Sequence, residues 1–295
     1  MGAIGYYIVI LVVRVLTLLP LEIFYIFSYP LFFVLYIFPG YRKKIARINL
    51  TNAFPEKSLK AIKSIERKFY LHMADLFIET VKEANLSEKT IRKRYKVTNP
   101  ELPESLIASG KDVLAVGGHY NNWEWLTFAP LYMKVPTIII YKPLENKRFD
   151  KYIFNIRSRF GVKLTPMSSV VREIIDARNK GVNTMSVFIA DQNPRKRDIR
   201  YWTKFMNQDA PVYLGAEKVS AKFNMAVLYL DAKKIKRGHY ELTFEELFRD
   251  TANLPEHTVT EAHVRRLEES IKDNPEFWIW THRRWKHKKE DFKNE

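Results

Sequence analysis

The residues of this chain with the clearest chemical potential lie in one stretch, Gly117-Gly118-His119-Tyr120-Asn121-Asn122-Trp123-Glu124-Trp125. It holds a histidine and a carboxylate, His119 and Glu124, with four residues between them. An imidazole steadied by a carboxylate can take a proton from a hydroxyl near neutral pH, which turns a poor nucleophile into a usable one. The run Asp112 to Val116 before it is aliphatic and β-branched and reads as a buried strand. The glycine pair ends that strand and lets a reactant approach closely. A helical pattern follows, so the two side chains sit at a strand-to-helix turn, where open α/β folds place their chemistry. Taken without that setting, the same spacing describes a satisfied turn histidine and a surface carboxylate.

Three more stretches stand at strand ends or beyond them. Tyr141-Lys142-Pro143-Leu144-Glu145-Asn146 follows the next apolar run, with Arg157 and Arg159 farther on. Lys and Arg there suit phosphates or an oxyanion, or else form a basic helix face. Asp191-Gln192-Asn193-Pro194 follows the apolar run Val187–Ala190. Its side chains can orient substrate hydroxyls, although an Asp and an Asn-Pro after a strand also describe a plain turn. Near the C-terminus, residues 274–286 alternate Trp278, Trp280 and Trp285 with basic side chains. That mixture suits a lipid headgroup interface, and also a nucleic-acid groove. His282 and His287 are not read as metal ligands, because no compact ligand cluster surrounds them. There is no phosphate-binding glycine loop and no Gly-x-Ser-x-Gly elbow.

The elements that must position these residues alternate. Strands are expected at 95–97, 112–116, 136–141, 162–165, 183–190, 225–230 and 240–244. Helices are expected at 58–84, 101–110, 123–132, 148–160, 170–180, 209–223 and 258–273. Strand 240–244 returns across a Lys233–Gly238 turn as a hairpin. The alternation predicts an α/β fold, a three-layer mixed sheet flanked by helices.

Composition narrows the function. The 295 residues are 46% hydrophobic, enough for a sizeable core, and contain no cysteine. Disulfides, thiolate catalysis and thiolate metal sites are excluded. A net charge of +16 asks for an anionic partner. Residues 3–38 are mostly apolar, and before Arg42 only Arg14 and Glu22 are charged. Pro20, Pro30 and Pro39 break this segment, so it forms either one span or a helix pair lying partly in one leaflet. No basic start and no small-residue cleavage site mark it as a signal peptide. Tyr is frequent from Tyr6 to Tyr41, as in interfacial belts. Arg42, Lys43, Lys44 and Arg47 then place the rest of the chain in the cytoplasm and suit anionic headgroups. The expected division is an N-terminal membrane-anchoring segment over residues 1–41 and a single α/β domain over 42–295.

Together these stretches resemble the bacterial lipid A late acyltransferases, within the wider glycerolipid and lysophospholipid acyltransferase family. The matching residues are Gly-His-Tyr-x-Asn-Trp-Glu at 118–124, Tyr-Lys-Pro-x-x-Asn at 141–146 and Arg-x-Arg-x-Gly at 157–161. They continue with Asp191-Gln192, Trp202-x-x-Phe205-x-Asn207-x-x-Ala210-Pro211, and Pro-Glu-x-Trp-x-Trp-x-His-Arg-Arg-Trp-Lys at 275–286. The resemblance implies transfer of an acyl chain from acyl carrier protein, or acyl-CoA, to a hydroxyl of a membrane lipid, with no cofactor. It implies His119 as general base and Glu124 as the group that orients it. Arg159 corresponds to the family's arginine, with Arg157 as second choice, and Asp191 and Gln192 line the acceptor site. Asn121, Tyr141, Lys142 and Asn146 complete the substrate-binding candidates, and backbone N–H groups near Asn121 or Arg159 are candidates for the oxyanion. The expected partners are acyl carrier protein, anionic membrane lipid and a lipid A precursor, at the cytoplasmic face of the inner membrane. The loop after Asp191 departs from the pattern, since Arg195-Lys196-Arg197 makes it unusually basic; a phosphorylated acceptor would suit it. A lysophospholipid or an acylated amino-acid lipid is the alternative acceptor, and a non-catalytic basic binding protein is the alternative class. The apolar N-terminus argues against nucleic acid.

Overall fold

The aliphatic run before His119 forms the middle of a seven-stranded sheet. The structure, a computed structural model, describes residues 3–38 and 40–292. The first third of the chain is helical: α1 (Ala3–Leu16), α2 (Leu21–Phe24), α3 (Ser28–Phe32), α4 (Lys43–Ala53), α5 (Leu59–Glu83) and α6 (Glu88–Arg94). Strands and helices then alternate: β1 (Tyr95–Val97), α7 (Glu101–Ala108), β2 (Val113–Gly117), β3 (Thr137–Tyr141), α8 (Lys147–Arg157), β4 (Lys163–Pro166), α9 (Val170–Asn179) and β5 (Met185–Ile189). The chain closes with β6 (Tyr201–Phe205), β7 (Gln208–Val212), α10 (Gly215–Phe223), β8 (Ala226–Lys236), β9 (His239–Phe248) and α11 (Thr258–Asp273).

The large sheet has the order β1-β9-β8-β2-β5-β3-β4. The pairs β2–β5, β2–β8, β3–β5 and β3–β4 are parallel, while the β8–β9 hairpin is antiparallel. The sheet is mixed for the reason expected, and β1 lies at its edge. β2 shows why an uninterrupted apolar run is needed at the centre. Val113 and Ala115 pack into one core with Trp125 and Phe128. Leu114 and Val116 pack into the other with Ile174 and Val219. Alternate side chains point to opposite faces, and both faces are covered.

Two expectations change. Residues 123–131 form 3-10 turns rather than an α-helix, with Pro130 inside them. Residues 209–223 do not form one helix, because β6 and β7 pair as a separate antiparallel hairpin before α10 begins. Met206 and Asn207 both have positive φ, at 47° and 64°. That is the backbone of a two-residue hairpin turn whose twist matches its strands.

The apolar N-terminus folds as short pieces. Among the described residues no helix is long and apolar enough to cross a membrane. The 14 residues of α1 rise about 21 Å, less than the roughly 30 Å of bilayer hydrocarbon. Pro20 separates α1 from α2, and the break expected at Pro39 lies outside the described residues. Of the two arrangements expected, a single spanning helix is therefore not formed. The segment is pinned to α5 instead. Lys82 donates to the carbonyls of Thr17 and, at 2.7 Å, Leu19, and the Tyr25 hydroxyl donates to Glu79 at 2.5 Å.

Candidate active site

The sheet register builds the site. β2 and β5 are parallel neighbours, and Gly117 pairs with Ile189. Two residues beyond each strand end, His119 and Asp191 come face to face. Their contact is short: His119 Nδ1 lies 2.6 Å from Asp191 Oδ1. The chain leaves β2 toward β3 and leaves β5 in the other direction, toward β8. The crevice at those two strand ends is thus a switch point of the kind where α/β sheets bind ligands.

Asp191 is held by more than the imidazole. Its Oδ2 accepts the His119 backbone N–H at 2.9 Å and the Trp278 indole N–H at 2.8 Å. Burial alone would raise its pKa, but the His119 charge and these hydrogen bonds pull it down to about 2. It is a carboxylate throughout the neutral range, and the Nδ1 atom of His119 carries the proton donated to it. Nε2 then holds the lone pair, aimed away from Asp191, with the Gln192 amide nitrogen at 3.2 Å. Burial lowers the pKa of His119, but the Asp191 charge and hydrogen bond outweigh it, so the net shift is upward. The His119 side chain keeps 20% exposure, so its free nitrogen is reachable.

Glu124 takes another role than the one expected. Its carboxylate is gripped in a fork by Arg157, with Nε to Oε2 at 2.9 Å and Nη2 to Oε1 at 2.8 Å. It reaches His119 through its field, raising the imidazole pKa, not through a hydrogen bond. Orientation of His119, expected from Glu124, is supplied by Asp191. The physical reason is the register, which sets residue 191 opposite residue 119, while Glu124 has turned away along the first 3-10 turn toward α8.

Asn121 is not available to substrate. It is buried with φ at 53°, its N–H donates to Phe277 O at 2.9 Å, and its amide donates to Ala232 O at 2.7 Å. The Asn121 N–H, among the backbone donors expected for an oxyanion, is spent on the fold. Arg159 is likewise engaged elsewhere. It donates to the carbonyls at the end of α5, Ala84 at 2.9 Å and Glu83 at 3.4 Å, and to Leu86. These are orphan helix carbonyls, so Arg159 caps α5, and Arg157 is the arginine delivered to the histidine turn. Tyr141, half-buried against Phe154, and exposed Lys142 lie at the end of β3, on the same rim as Asp191. Asn146 caps α8, its carbonyl accepting the N–H groups of Arg148 at 3.1 Å and Phe149 at 3.3 Å.

Much of the closing motif lies inside the protein, with Arg283 and Lys286 exposed and Trp285 half-buried. Trp278, Trp280 and Arg284 are among the most buried side chains in the molecule. They meet no headgroup. Trp278 bridges back to Tyr120 and holds Asp191, and Arg284 donates to Asn193 Oδ1 at 2.7 Å, fixing the loop that carries Asp191 and Gln192. The space beside Gly118 is also filled from within. A Cβ there would come 2.8 Å from Leu267 Cδ2 and 3.3 Å from Asp191 Oδ2. The close approach that Gly118 permits is that of Leu267 and the protein's own carboxylate, rather than of a reactant. Glu79 went unnoticed in the sequence: buried in α5, it accepts Asn122 Nδ2 at 2.6 Å and Tyr240 Oη at 2.8 Å. A lone glutamate on a helix gives no sign that it faces inward. Among the described residues no group of three or more His, Cys, Asp or Glu side chains is arranged to hold a metal ion.

No curated protein matches the chain at a significant level. A family described as bacterial lipid A biosynthesis acyltransferase matches residues 2–287, nearly the whole sequence. A proton acceptor in a crevice at the strand ends of an α/β sheet is the chemistry such an enzyme needs. The chain is an acyltransferase and belongs to the bacterial lipid A biosynthesis acyltransferase family.

Proposed function

We propose that this enzyme moves an acyl chain from acyl carrier protein to a hydroxyl of a lipid A precursor at the cytoplasmic face of the inner membrane. His119 is the base. The acceptor hydroxyl displaces Gln192 from Nε2 and gives up its proton there as its oxygen attacks the thioester carbonyl. The tetrahedral oxyanion collapses, the C–S bond breaks, and the leaving thiolate takes the proton back from the imidazolium. General base catalysis of this kind is worth about 10²–10⁴-fold. Asp191 keeps the proton on Nδ1 and stabilises the imidazolium. The displaced Gln192 amide is a donor for the developing oxyanion. The Glu124–Arg157 pair forms the neighbouring wall.

The observation that carries this reading is the 2.6 Å contact between His119 and Asp191 at the switch point of the sheet. Membrane attachment is supported by apolar side chains left in solvent on the N-terminal segment, among them Leu11, Leu18, Ile26 and Phe38. The cations Lys43 and Lys44 follow directly and suit an anionic leaflet, whereas Arg47 is held in a fork by Glu66 at 2.6 and 2.7 Å. An acidic carrier protein as donor is supported by the net charge of +16. The test offers labelled acyl carrier protein or acyl-CoA to a lipid A precursor and to lysophospholipids, with the product identified by mass. An ester on the lipid A precursor, formed faster from the carrier protein, is the expected product. Label confined to lysophospholipids would replace the acceptor, and preference for acyl-CoA would replace the donor.

A further inference from the structure

A cavity of about 510 Å³ lies between α1, the end of α5 and α8, away from the histidine turn. Its polar walls are Arg14, Asn85, Tyr152, Asn155 and Arg159, and its apolar floor includes Val15, Leu18 and Ile156. Among the described residues no acidic side chain lines it. Arg14 makes no ion pair with any described residue, although it is the one cation on an otherwise apolar helix. The Tyr152 hydroxyl is buried and has no hydrogen-bond partner among the described residues. A buried hydroxyl without a partner is costly, and a ligand oxygen would relieve it. Arg159 is held in place by the α5 carbonyls, so one wall is rigid before anything binds. Glu83, the carboxyl whose charge acts on Arg159, is driven up to about 8 by burial and by the Glu124 charge, so it adds little negative field at neutral pH.

We propose that this cavity binds the phosphate of an anionic membrane phospholipid, with Arg14, Asn155 and Tyr152 on the headgroup and the acyl chains along Val15 and Leu18. The guanidinium of Arg14, which has no ion pair among the described residues, complements a phosphodiester, and Arg159 adds a fixed positive charge from the wall. The floor continues into the exposed apolar side chains Leu11 of α1 and Leu18 in the turn after it, which places the headgroup at the level of the leaflet surface. Asn155 and Ile156 face the cavity from α8, whereas Arg157 on the opposite face of that helix grips Glu124. The lipid is therefore a docking ligand across α8 from the Glu124–Arg157 pair rather than a reactant, and the proposal does not depend on the acyl acceptor.

The test uses the full chain and dihexanoyl phosphatidylglycerol below its micelle concentration, with binding followed by calorimetry. Dihexanoyl phosphatidylcholine and inorganic phosphate are the comparison ligands. Saturable one-to-one binding of phosphatidylglycerol is expected, weakened about tenfold or more in Arg14→Gln, which loses a charge-assisted hydrogen bond. Asn155→Asp, which sets a carboxylate in an exposed wall, weakens it at least as much. Arg172→Gln, on a distant exposed turn of α9, leaves it unchanged, and both comparison ligands bind more weakly. Equal weakening in Arg172→Gln and Arg14→Gln would reduce the effect to general charge. Absence of saturable binding, or inorganic phosphate binding as tightly as the lipid, would overturn the proposal.

Discussion

Replacing Asp191 by asparagine removes one charge and almost no volume. Three donors surround this side chain: His119 Nδ1–H at 2.6 Å, His119 N–H at 2.9 Å and Trp278 Nε1–H at 2.8 Å. An amide has one oxygen and one NH₂ group. If its oxygen serves the two donors at the Oδ2 position, its NH₂ group faces His119 Nδ1. The imidazole must then move its proton to Nε2, the atom proposed to receive the acceptor proton, and the base is lost. We expect kcat to fall about 10²–10⁴-fold with a small change in KM. Stability also changes. The Asp191 carboxyl is lowered from 3.8 to about 2, and at about 1.36 kcal/mol per unit this contributes about 2 kcal/mol. That contribution is present above pH 3.8 and lost as pH falls through about 2. The His119 shift has the opposite sign. Its raised pKa contributes below the ordinary 6.5 and is lost as pH rises through the raised value. In the wild type, activity should therefore rise with pH along a limb above 6.5. In Asp191→Asn the imidazole loses the Asp191 charge and hydrogen bond and keeps burial, opposed only by the field of Glu124, so the residual activity should titrate at lower pH than in the wild type. A kcat within about threefold of wild type, with the limb unmoved, would refute the orienting role of Asp191.

Other substitutions follow from the same geometry. Glu124→Gln and Arg157→Gln should each lower kcat/KM, and the double variant should do little more than either, because both break one forked pair; additive losses in a double-mutant cycle would contradict this. Gly118→Ala should destabilise by about 1–3 kcal/mol in denaturant titration and lower kcat, since its methyl must displace Leu267 and press on Asp191; unchanged stability would place that turn elsewhere. Arg159→Ala should lower the thermal midpoint by several degrees through loss of the α5 cap, about 1–2 kcal/mol; an unaltered midpoint with abolished turnover would return Arg159 to the reaction.

The central sheet could be read from the sequence because its strands are buried on both faces and so appear as continuous apolar runs. The glycine pair and His119 after such a run marked the turn that leaves β2 for the same reason. What could not be read were the contacts set by register. His119 and Asp191 are 72 residues apart, and only the parallel pairing of β2 with β5 brings them together. Glu124 was nearer in sequence but was claimed by Arg157, 33 residues away. The closing Trp and Arg residues carry a composition that fits an interface equally well, and burial alone separates the two uses. The β6–β7 hairpin was missed because Met206 and Asn207 lack the glycine that usually marks such a turn, although Pro211 argued against a helix there. The apolar N-terminus looked long enough to span, but Pro20 and short 3-10 and π turns divide it.

The most direct test is single-turnover transfer from labelled acyl carrier protein to a lipid A precursor, comparing wild type with His119→Gln across pH. The variant keeps an amide able to hydrogen-bond Asp191 but has no basic nitrogen. The account predicts ester formation by the wild type along a limb above pH 6.5 and a loss of about 10²–10⁴-fold in the variant, with its fold and donor binding intact. Transfer at the wild-type rate by His119→Gln would contradict it.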